Sequence, residues 1–270
     1  MNATAENSKK SALKAAIIPV TPFQQNCTLI WDEASKVGAV VDPGGDVDVI
    51  VDAIKQTGIT VEKILLTHGH IDHAGGADEL RAKLGVKIEG PHKADKILLD
   101  ALEKQGQAYD IAGSRNVVPD RWLDDGDTVS VAGHTFAIYH CPGHSPGSVV
   151  FYNKAQKFAL VGDVLFSGSI GRTDFPYGDH DALINAIKTK LFPLGDDIHF
   201  ICGHGAPSQF GVERKTNPFL VIWVFETCHP GRRNCVSAIL ESRDPEPVIG
   251  FLKMGPGSAS PLCKRPLRPG

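Results

Sequence analysis

One short segment, LLTHGHIDHAGG at residues 65–76, concentrates side chains that can bind metal ions. It contains three histidines and one aspartate, namely His68, His70, Asp72 and His73, with glycines among them. Residues i and i+2 of an extended segment point to the same side, so His68 and His70 can converge on one ion. Asp72 and His73 are adjacent and follow the turn, where they would face a second position nearby. So many ligand-type residues in one loop predict a metal site rather than a solvated surface.

Three later segments supply further ligand-type residues, each beside glycine and at the end of a predicted strand. They are HCPGHSPGS with His144, LVGDVLF with Asp163 and ICGHG with His204. Each has an ordinary structural alternative: a helix cap for Asp163, and a hydrogen-bonded turn for the two histidines. Because all three occupy the same kind of position, where glycine allows close backbone approach, we predict that they complete the site. The other histidines are interpreted as surface or strand residues: His92, His134, His140, His180, His199 and His229.

Short apolar strands and amphipathic helices alternate around these residues. In the first half, strands are predicted at 15–20, 26–31, 38–42, 61–67 and 87–90, and helices at 47–58, 75–85 and 94–105. In the second half, strands are predicted at 134–144, 147–153, 157–163 and 197–205, and one helix at 179–192. Two halves with grouped strands and outer helices predict an α/β fold, in which two sheets pack face to face and helices cover each.

Composition narrows the classes of function. A chain of 270 residues with 42% apolar and 22% charged residues is typical of a globular protein with a full core. A net charge of −3 gives no reason to expect nucleic acid as a partner, and no apolar run reaches the roughly 18 residues of a membrane span. The six cysteines are scattered, and the N-terminus lacks the features of a signal peptide. We therefore predict a cytoplasmic protein without a membrane partner.

The two ends of the chain differ in composition from its centre. Residues 221–270 contain seven of the 18 prolines and three of the six cysteines, and seven Lys or Arg against four Asp or Glu. Their final stretch, MGPGSASPLCKRPLRPG, has no usable periodicity. We predict a disordered N-terminal segment at 1–13, a catalytic domain at 14–220 and a poorly ordered tail of unknown role at 221–270.

The pattern THGHIDH, followed at increasing distance by His144, Asp163 and His204, resembles the metallo-β-lactamase superfamily over roughly residues 14–220. Within it, GHSPGSVVFY, GDVLFSGSIGRTDFPYGD and PLGDDIHFICGHG are most similar to glyoxalase II (hydroxyacylglutathione hydrolase) and its small single-domain relatives. The resemblance implies a four-layer αββα sandwich with a dinuclear metal site between the sheets. It also implies the ligand sets: His68, His70 and His144 for the first metal, Asp72, His73 and His204 for the second, and Asp163 as the bridge.

The donor set fits the chemistry that this resemblance implies. A carboxylate at position 163, rather than a thiolate, suits an oxygen shared between two ions. Imidazole and carboxylate ligands accept zinc, iron or manganese, and we predict two divalent ions, with zinc favoured. Two cations lower the pKa of a bridging water, and the resulting hydroxide would attack the carbonyl of a thioester. Asp72 and Asp163 are the predicted catalytic residues, with Asp72 both a ligand and a group that orients the nucleophile.

The sequence departs from full-length glyoxalase II at its C-terminus. Those enzymes carry a helical domain that grips glutathione, whereas residues 221–270 are short and rich in proline. Arg172 in GRTDF and Tyr177 are the predicted substrate contacts, although an ion pair with Asp174 is an equal alternative for the arginine. Arg214 and Lys215 in VERKTNPF are better explained by the end of a helix. We therefore predict a small-molecule thioester substrate and weak selectivity for glutathione.

Two other functions remain as alternatives. GRTDF also resembles the persulfide dioxygenases, iron enzymes of the same fold that would use His68, His144 and Asp163 and leave the second site empty. The presence of His204 in CGHG argues for a complete second site. A non-catalytic metal-binding module is the third reading, but structural zinc sites usually close on four local ligands. The number and identity of the bound metals separate the three.

Overall fold

Fourteen strands form the framework of the protein in the computed structural model, which describes residues 11–221 and 251–253. The strands of the first half are β1 (Leu13–Val20), β2 (Gln25–Asp32), β3 (Val37–Val41), β4 (Thr60–Leu65) and β5 (Lys87–Glu89). Those of the second half are β6 (Thr128–Val131), β7 (His134–His140), β8 (Val149–Asn153), β9 (Phe158–Gly162), β10 (Leu165–Phe166), β11 (Ser169–Ile170), β12 (His199–Cys202) and β13 (Ser208–Gln209). The last strand is β14 (Phe251–Lys253).

The strands assemble into two six-stranded sheets and one two-stranded ribbon. The first sheet has the order β14-β1-β2-β3-β4-β5, the second has the order β13-β12-β9-β8-β7-β6, and β10 pairs with β11. In the second sheet, β9 is parallel to β12, and β8 is antiparallel to both β7 and β9. The chain therefore leaves β7, β9 and β12 at the same edge of that sheet.

Seven α-helices flank the sheets within the described segments. They are α1 (Val47–Thr57), α2 (Ile71–Ala74), α3 (Ala77–Leu84), α4 (Lys96–Leu99), α5 (Leu102–Tyr109), α6 (His180–Ala186) and α7 (Phe210–Thr216). The helix α1 ends at Thr57 and is capped by Gly58, the residue predicted to stop it, whose left-handed backbone (φ 67°) allows its amide to bond the carbonyls of the last turn. No helix in this part of the chain is both long and apolar enough to cross a membrane.

Three hydrophobic clusters separate the fold into four layers. One joins the first sheet to its helices and contains Ile64 of β4 and Ile50 of α1. The second lies between the sheets and contains Leu65 and Phe151, and the third joins the second sheet to helices through residues such as Leu183. Ile64 and Leu65 are adjacent but belong to different clusters, because successive side chains of a strand face opposite sides. The predicted α/β fold, an αββα sandwich, is confirmed.

The helix predicted at 94–105 is instead three short pieces. A 3₁₀ turn (Lys93–Asp95) leads into α4, and α5 starts after a break. In a continuous helix the amide of Glu103 would bond the carbonyl of Leu99. Here the side chain of Asn116 accepts from the Glu103 amide (3.0 Å), and the Val117 amide donates to the Leu99 carbonyl (3.2 Å). The loop that contains Asn116 and Val117 thus forms hydrogen bonds with the two backbone groups that would otherwise bond each other in a continuous helix.

The helix predicted at 179–192 also changes its form along its length. It begins as expected, because the Asp179 side chain accepts from the amide of Ala182 at 2.9 Å. After α6 it continues as a π-helical turn (Ile187–Leu191) and a 3₁₀ turn (Phe192–Leu194). Pro193 has no amide hydrogen and its ring clashes with the preceding turn. It therefore disfavours a regular α-helix in the last turn before residue 193.

The predicted chain ends lie mostly outside the described residues. β1 begins at Leu13, one residue before the predicted start of the domain, and the described part of the first segment ends at residue 221. Residues 251–253 belong to the predicted tail, yet their backbone forms β14 and pairs in parallel with β1. Residues 1–10, 222–250 and 254–270, including His229, are not described. The domain limits 14–220 therefore stay a prediction.

Candidate metal centre

The seven residues predicted as metal ligands lie together at the edge of the two sheets where β4, β7, β9 and β12 end. His68 and His70 follow β4, and α2 carries Asp72 and His73. His144, Asp163 and His204 follow β7, β9 and β12 of the second sheet. The two sheets are joined there by an isolated backbone bridge between Gln25 and His204. The site is thus built from both halves of the chain.

Three imidazoles form the first cluster. His70 Nδ1 lies 3.0 Å from His68 Nε2 and 3.0 Å from His144 Nε2. All three rings meet nearly at right angles, with interplanar angles of 77° to 89°. Three ring nitrogens that face one point at this spacing can together hold one metal ion.

Asp72, His73 and His204 form the second cluster. Asp72 Oδ2 lies 3.1 Å from His204 Nε2 and 3.7 Å from His73 Nε2. Asp163 lies between the clusters: its Oδ1 is 3.3 Å from His73 Nε2, and its Oδ2 is 3.4 Å from His144 Nε2 and 3.6 Å from His204 Nε2. One carboxylate therefore faces ligand atoms of both clusters, as the resemblance implies for a bridging residue.

Unpaired polar atoms show that this centre fits a metal. His73 Nε2 and Asp163 Oδ1 are buried, and neither has a hydrogen-bond partner among the described residues. Buried polar atoms are rarely left in this state unless a water or ion completes them. Burial opposes a charge on His73, yet the carboxylates of Asp163 and Asp72 raise its pKa well above the usual value. The position thus favours positive charge, which a divalent cation would provide.

His68, His70 and Asp163 are in the forms that metal binding requires. Burial and the charges of neighbouring histidines lower the pKa of His68 far below its usual value, and burial with the charge of His144 lowers that of His70 to about 3. Burial opposes ionisation of Asp163, but the charges of His73, His144 and His204 hold its pKa well below the ordinary range. Neutral imidazoles and an ionised carboxylate are the ligand forms that a divalent ion selects.

Each of the five histidines has its second ring nitrogen engaged away from the two clusters. The partners are Thr67 Oγ1 for His68 Nδ1 (3.0 Å), Tyr177 OH for His70 Nε2 (2.8 Å), Asp42 Oδ2 for His73 Nδ1 (2.9 Å), the Arg172 carbonyl for His144 Nδ1 (2.9 Å) and the Phe23 carbonyl for His204 Nδ1 (3.2 Å). A carbonyl or carboxylate only accepts, so it places the ring proton on that nitrogen. The lone pair of the other nitrogen then points into the site.

Asp42 and Thr67 were not selected from the sequence, although they hold two of the ligands. Asp42 accepts from the amide and the hydroxyl of Thr67 (2.7 and 2.6 Å) as well as from His73. Because the hydroxyl donates to Asp42, it accepts from His68. Asp42 also lies within ligand distance of His68 and His73, but these hydrogen bonds already occupy both of its oxygens. The only signal in the sequence is a polar residue at the end of each of two apolar runs, GAVVD and VEKILLT.

The predicted substrate contacts lie beside the first cluster. The ring of Tyr177 stacks on Phe175 at 5.3 Å, and the Phe175 ring lies 5.0 Å from that of His70. Arg172 makes two hydrogen bonds of 2.7 Å with Asp174 and lies over the Phe175 ring at 4.5 Å. The ion pair considered as the alternative for Arg172 is therefore present in the structure. Both members of this pair are exposed.

Arg214 and several histidines outside the centre have structural partners. Arg214 lies in the last turn of α7, which ends at Thr216, and its Nε is 2.8 Å from Asp196 Oδ1. Among the described histidines outside the centre, His134 pairs with Asp32 at 3.0 Å. His92 stacks on His140 at 4.0 Å. These contacts agree with the structural interpretation of these residues.

Comparison with known proteins identifies the family. The model of the metallo-beta-lactamase superfamily matches residues 20–204. The hydroxyacylglutathione hydrolase GloC of Haemophilus influenzae is 46% identical over 205 residues, which cover 76% of this chain and 96% of that protein. The crystal structure of TTHA1623 in a di-iron-bound form superposes with a TM-score of 0.68 at 33% identity, over 76% of this chain and 99% of that one. BLEG-1, a B3 metallo-beta-lactamase, also gives a TM-score of 0.68, at 34% identity over 77% of this chain and 99% of that one.

The identity with GloC confirms the resemblance to glyoxalase II noted in the sequence. The chain covers nearly the full length of each of these three relatives. The family match contains all seven residues of the centre, from His68 to His204. The mixed sheets flanked by helices agree with the fold of the solved relatives. The chain therefore belongs to the metallo-beta-lactamase superfamily.

Proposed function

We propose that this chain is a metal-dependent thioester hydrolase of the glyoxalase II type, which cleaves S-lactoylglutathione or a related acyl-thioester. The observation that carries the proposal is the position of Asp163, which faces two complete sets of ligands at once. The similarity to a hydroxyacylglutathione hydrolase over 96% of its length supports the thioester as substrate class. A cytoplasmic location remains part of the proposal.

The residues assigned to each ion follow from the two clusters. The first ion would be held by His68, His70 and His144, the second by Asp72, His73 and His204, and Asp163 would contact both. Zinc is the favoured metal, and iron or manganese would also suit these donors. When bound, two divalent ions supply a deprotonated water at neutral pH and polarise the carbonyl of the substrate.

The protein's own groups orient the reactants. Burial raises the pKa of Asp72, but the charges of His73 and His204 hold it below the usual value, so the carboxylate is ionised at neutral pH. It can therefore accept a hydrogen bond from the attacking water. The water oxygen bonds to the carbonyl carbon, the C–S bond breaks, and the thiolate leaves with the electron pair. A thiolate is a good leaving group, so the step needs little acid assistance.

The direct experiment is a thioester hydrolysis assay on protein of measured metal content. We expect two ions per chain, hydrolysis of lactoylglutathione, and loss of the rate on removal of metal with recovery on its return. One iron per chain, oxygen consumption with glutathione persulfide and no action on lactoylglutathione would instead support the dioxygenase. One inert zinc without either activity would support the binding module.

Arg172 is proposed as the contact for a carboxylate of the thiol carrier. Its ion pair with Asp174 is exposed, and such pairs contribute little, so the guanidinium can exchange Asp174 for a substrate carboxylate. We expect Arg172→Ala to lower kcat/KM for lactoylglutathione by roughly tenfold to a hundredfold, the scale of a lost hydrogen bond to a charged group. A thioester that lacks the glutathione carboxylates should be hydrolysed at the same rate as by the wild type.

Asp174→Ala is the matched control for this contact. It frees the guanidinium, so kcat/KM for lactoylglutathione should stay the same or rise. An equal loss on both substrates in Arg172→Ala would mean that the arginine supports the loop rather than the substrate.

Tyr177 is proposed to contact the substrate and to orient His70. Burial raises its pKa to about 12, so the phenol is neutral at pH 7. With His70 Nδ1 turned to the first cluster, Nε2 carries the ring proton and the Tyr177 hydroxyl accepts it at 2.8 Å. Tyr177→Phe keeps the stacking on Phe175 and removes only the hydroxyl. We expect metal binding at the first cluster to weaken by about tenfold, measured by competition with a chelator. Unchanged affinity would show that the hydroxyl does not orient the ring.

A further inference from the structure

Asp95 is a buried carboxylate that lies outside the predicted metal ligands. It ends the 3₁₀ turn Lys93–Asp95, and its side chain has no exposed surface. Its Oδ2 accepts from the amide of Gly69 and the hydroxyl of Ser145, both at 2.8 Å, and its Oδ1 accepts from the amide of Gly147 at 2.5 Å. Burial raises its pKa to about 6, so at neutral pH it is ionised and accepts all three bonds.

The groups that Asp95 binds belong to the two loops that carry the first cluster. Gly69 lies between His68 and His70, and Ser145 directly follows His144. These loops come from different sheets, and one carboxylate spans them. We propose that Asp95 is a positioning residue that sets the spacing of the three imidazoles at the first metal position. The proposal rests on the metal-dependent function proposed above.

The packing around Gly147 supports this role independently of the hydrogen bonds. A Cβ atom at position 147 would lie 2.7 Å from the carboxyl carbon and 2.7 Å from the amide nitrogen of Asp95. The loop after His144 therefore approaches Asp95 so closely that only glycine fits at position 147. The carbonyl of Gly147 also accepts from the amide of His92 at 3.1 Å, which holds the same loop from the other side.

The contacts of Asp95 predict an effect on one metal position only. The second cluster is oriented by other groups: Asp42 accepts from His73, and the Phe23 carbonyl accepts from His204. Replacing Asp95 with asparagine keeps the shape but turns one acceptor into a donor. In either orientation the new amide group faces the backbone N–H of Gly69 or of Gly147. At least one ligand loop then loses its acceptor and is repelled.

The experiment compares Asp95→Asn with Glu213→Gln. Glu213 is an equally buried carboxylate away from the ligand loops. It accepts from the backbone amide of Gly168 (2.9 Å), the hydroxyl of Ser208 (2.5 Å) and the side-chain amide of Asn217 (2.9 Å). Both variants are stripped of metal. One sample of each is used to measure the melting temperature, and another is titrated with zinc against a competing chelator. We expect both to melt at lower temperature. Only Asp95→Asn should weaken one of the two zinc affinities, by about tenfold to a hundredfold.

Hydrogen exchange of the metal-free proteins gives a readout that does not depend on activity. The amides in peptides covering 65–76 and 141–150 should exchange faster in Asp95→Asn and at the wild-type rate in Glu213→Gln. Wild-type zinc affinities in Asp95→Asn, or an equal loss in both variants, would overturn the proposal. If the wild type binds two ions but hydrolyses no thioester, the proposed function fails while the role of Asp95 stands. A wild type that binds no zinc overturns both.

Discussion

Replacement of Asp163 by alanine is expected to remove both metal ions and to lower the rate of thioester hydrolysis by roughly a thousandfold or more. The reason is geometric. Asp163 Oδ1 faces His73 and its Oδ2 faces His144 and His204, so its loss leaves the first cluster without an oxygen donor and the second with Asp72 alone. It also removes negative charge from a site where five imidazoles meet, which weakens the attraction for any cation. Metal analysis by mass spectrometry and a lactoylglutathione assay check the two parts of this expectation.

His204→Ala is the comparison that tests the assignment of two positions. His204 contributes to the second cluster only, and its side chain is partly exposed (30%). We expect this variant to retain one ion per chain, held by the three imidazoles of the first cluster, and to keep more activity than Asp163→Ala. Two ions and a full rate in His204→Ala would refute the second position, and one retained ion in Asp163→Ala would refute the bridge.

The residues of the centre were predictable because their spacing follows from local geometry. His68 and His70 are two residues apart after β4, and each later ligand-type residue follows a strand that ends at the same edge. A strand that ends fixes where its next residue lies, so the pattern of strands largely determines which side chains meet. The four layers follow similarly from adjacent residues such as Ile64 and Leu65, which face opposite sides of one sheet.

The residues that hold the ligands in place were not predictable in this way. Asp42 and Asp95 act through partners 25 to 52 residues away in the chain, and nothing local distinguishes them from surface aspartates. The break after α4 has the same origin, since Asn116 and Val117 return from a distant loop to bond groups of the helix. Such contacts form only in the assembled fold, so the helix propensities of the residues along the chain do not predict them.

Gly203 shows how closely the backbone approaches the centre. It lies between Cys202 and His204, and a Cβ atom there would be 2.0 Å from Asp163 Oδ1 and 2.5 Å from His73 Cε1. The backbone cannot retreat, because the Gly203 amide donates to the Gly162 carbonyl (2.8 Å) and its carbonyl accepts from the Asn26 amide (2.7 Å). A side chain at this position would therefore have to displace the carboxylate of Asp163 or the ring of His73.

Gly203→Ala is accordingly expected to lower metal content and to reduce kcat by roughly a hundredfold, because displacement of reacting groups by about 1 Å costs on this scale. Gly205→Ala is the matched control from the same loop: its backbone is left-handed (φ 78°), so alanine costs about 1 kcal/mol of strain, but no atom lies within 4 Å of the new Cβ. The control should melt slightly earlier and keep both metals and most of its rate. Zinc content, melting temperature and kcat measured together distinguish the two effects. If Gly203→Ala binds two ions and turns over like the wild type, Asp163 and His73 do not occupy the positions described, and the bridging role loses its structural basis.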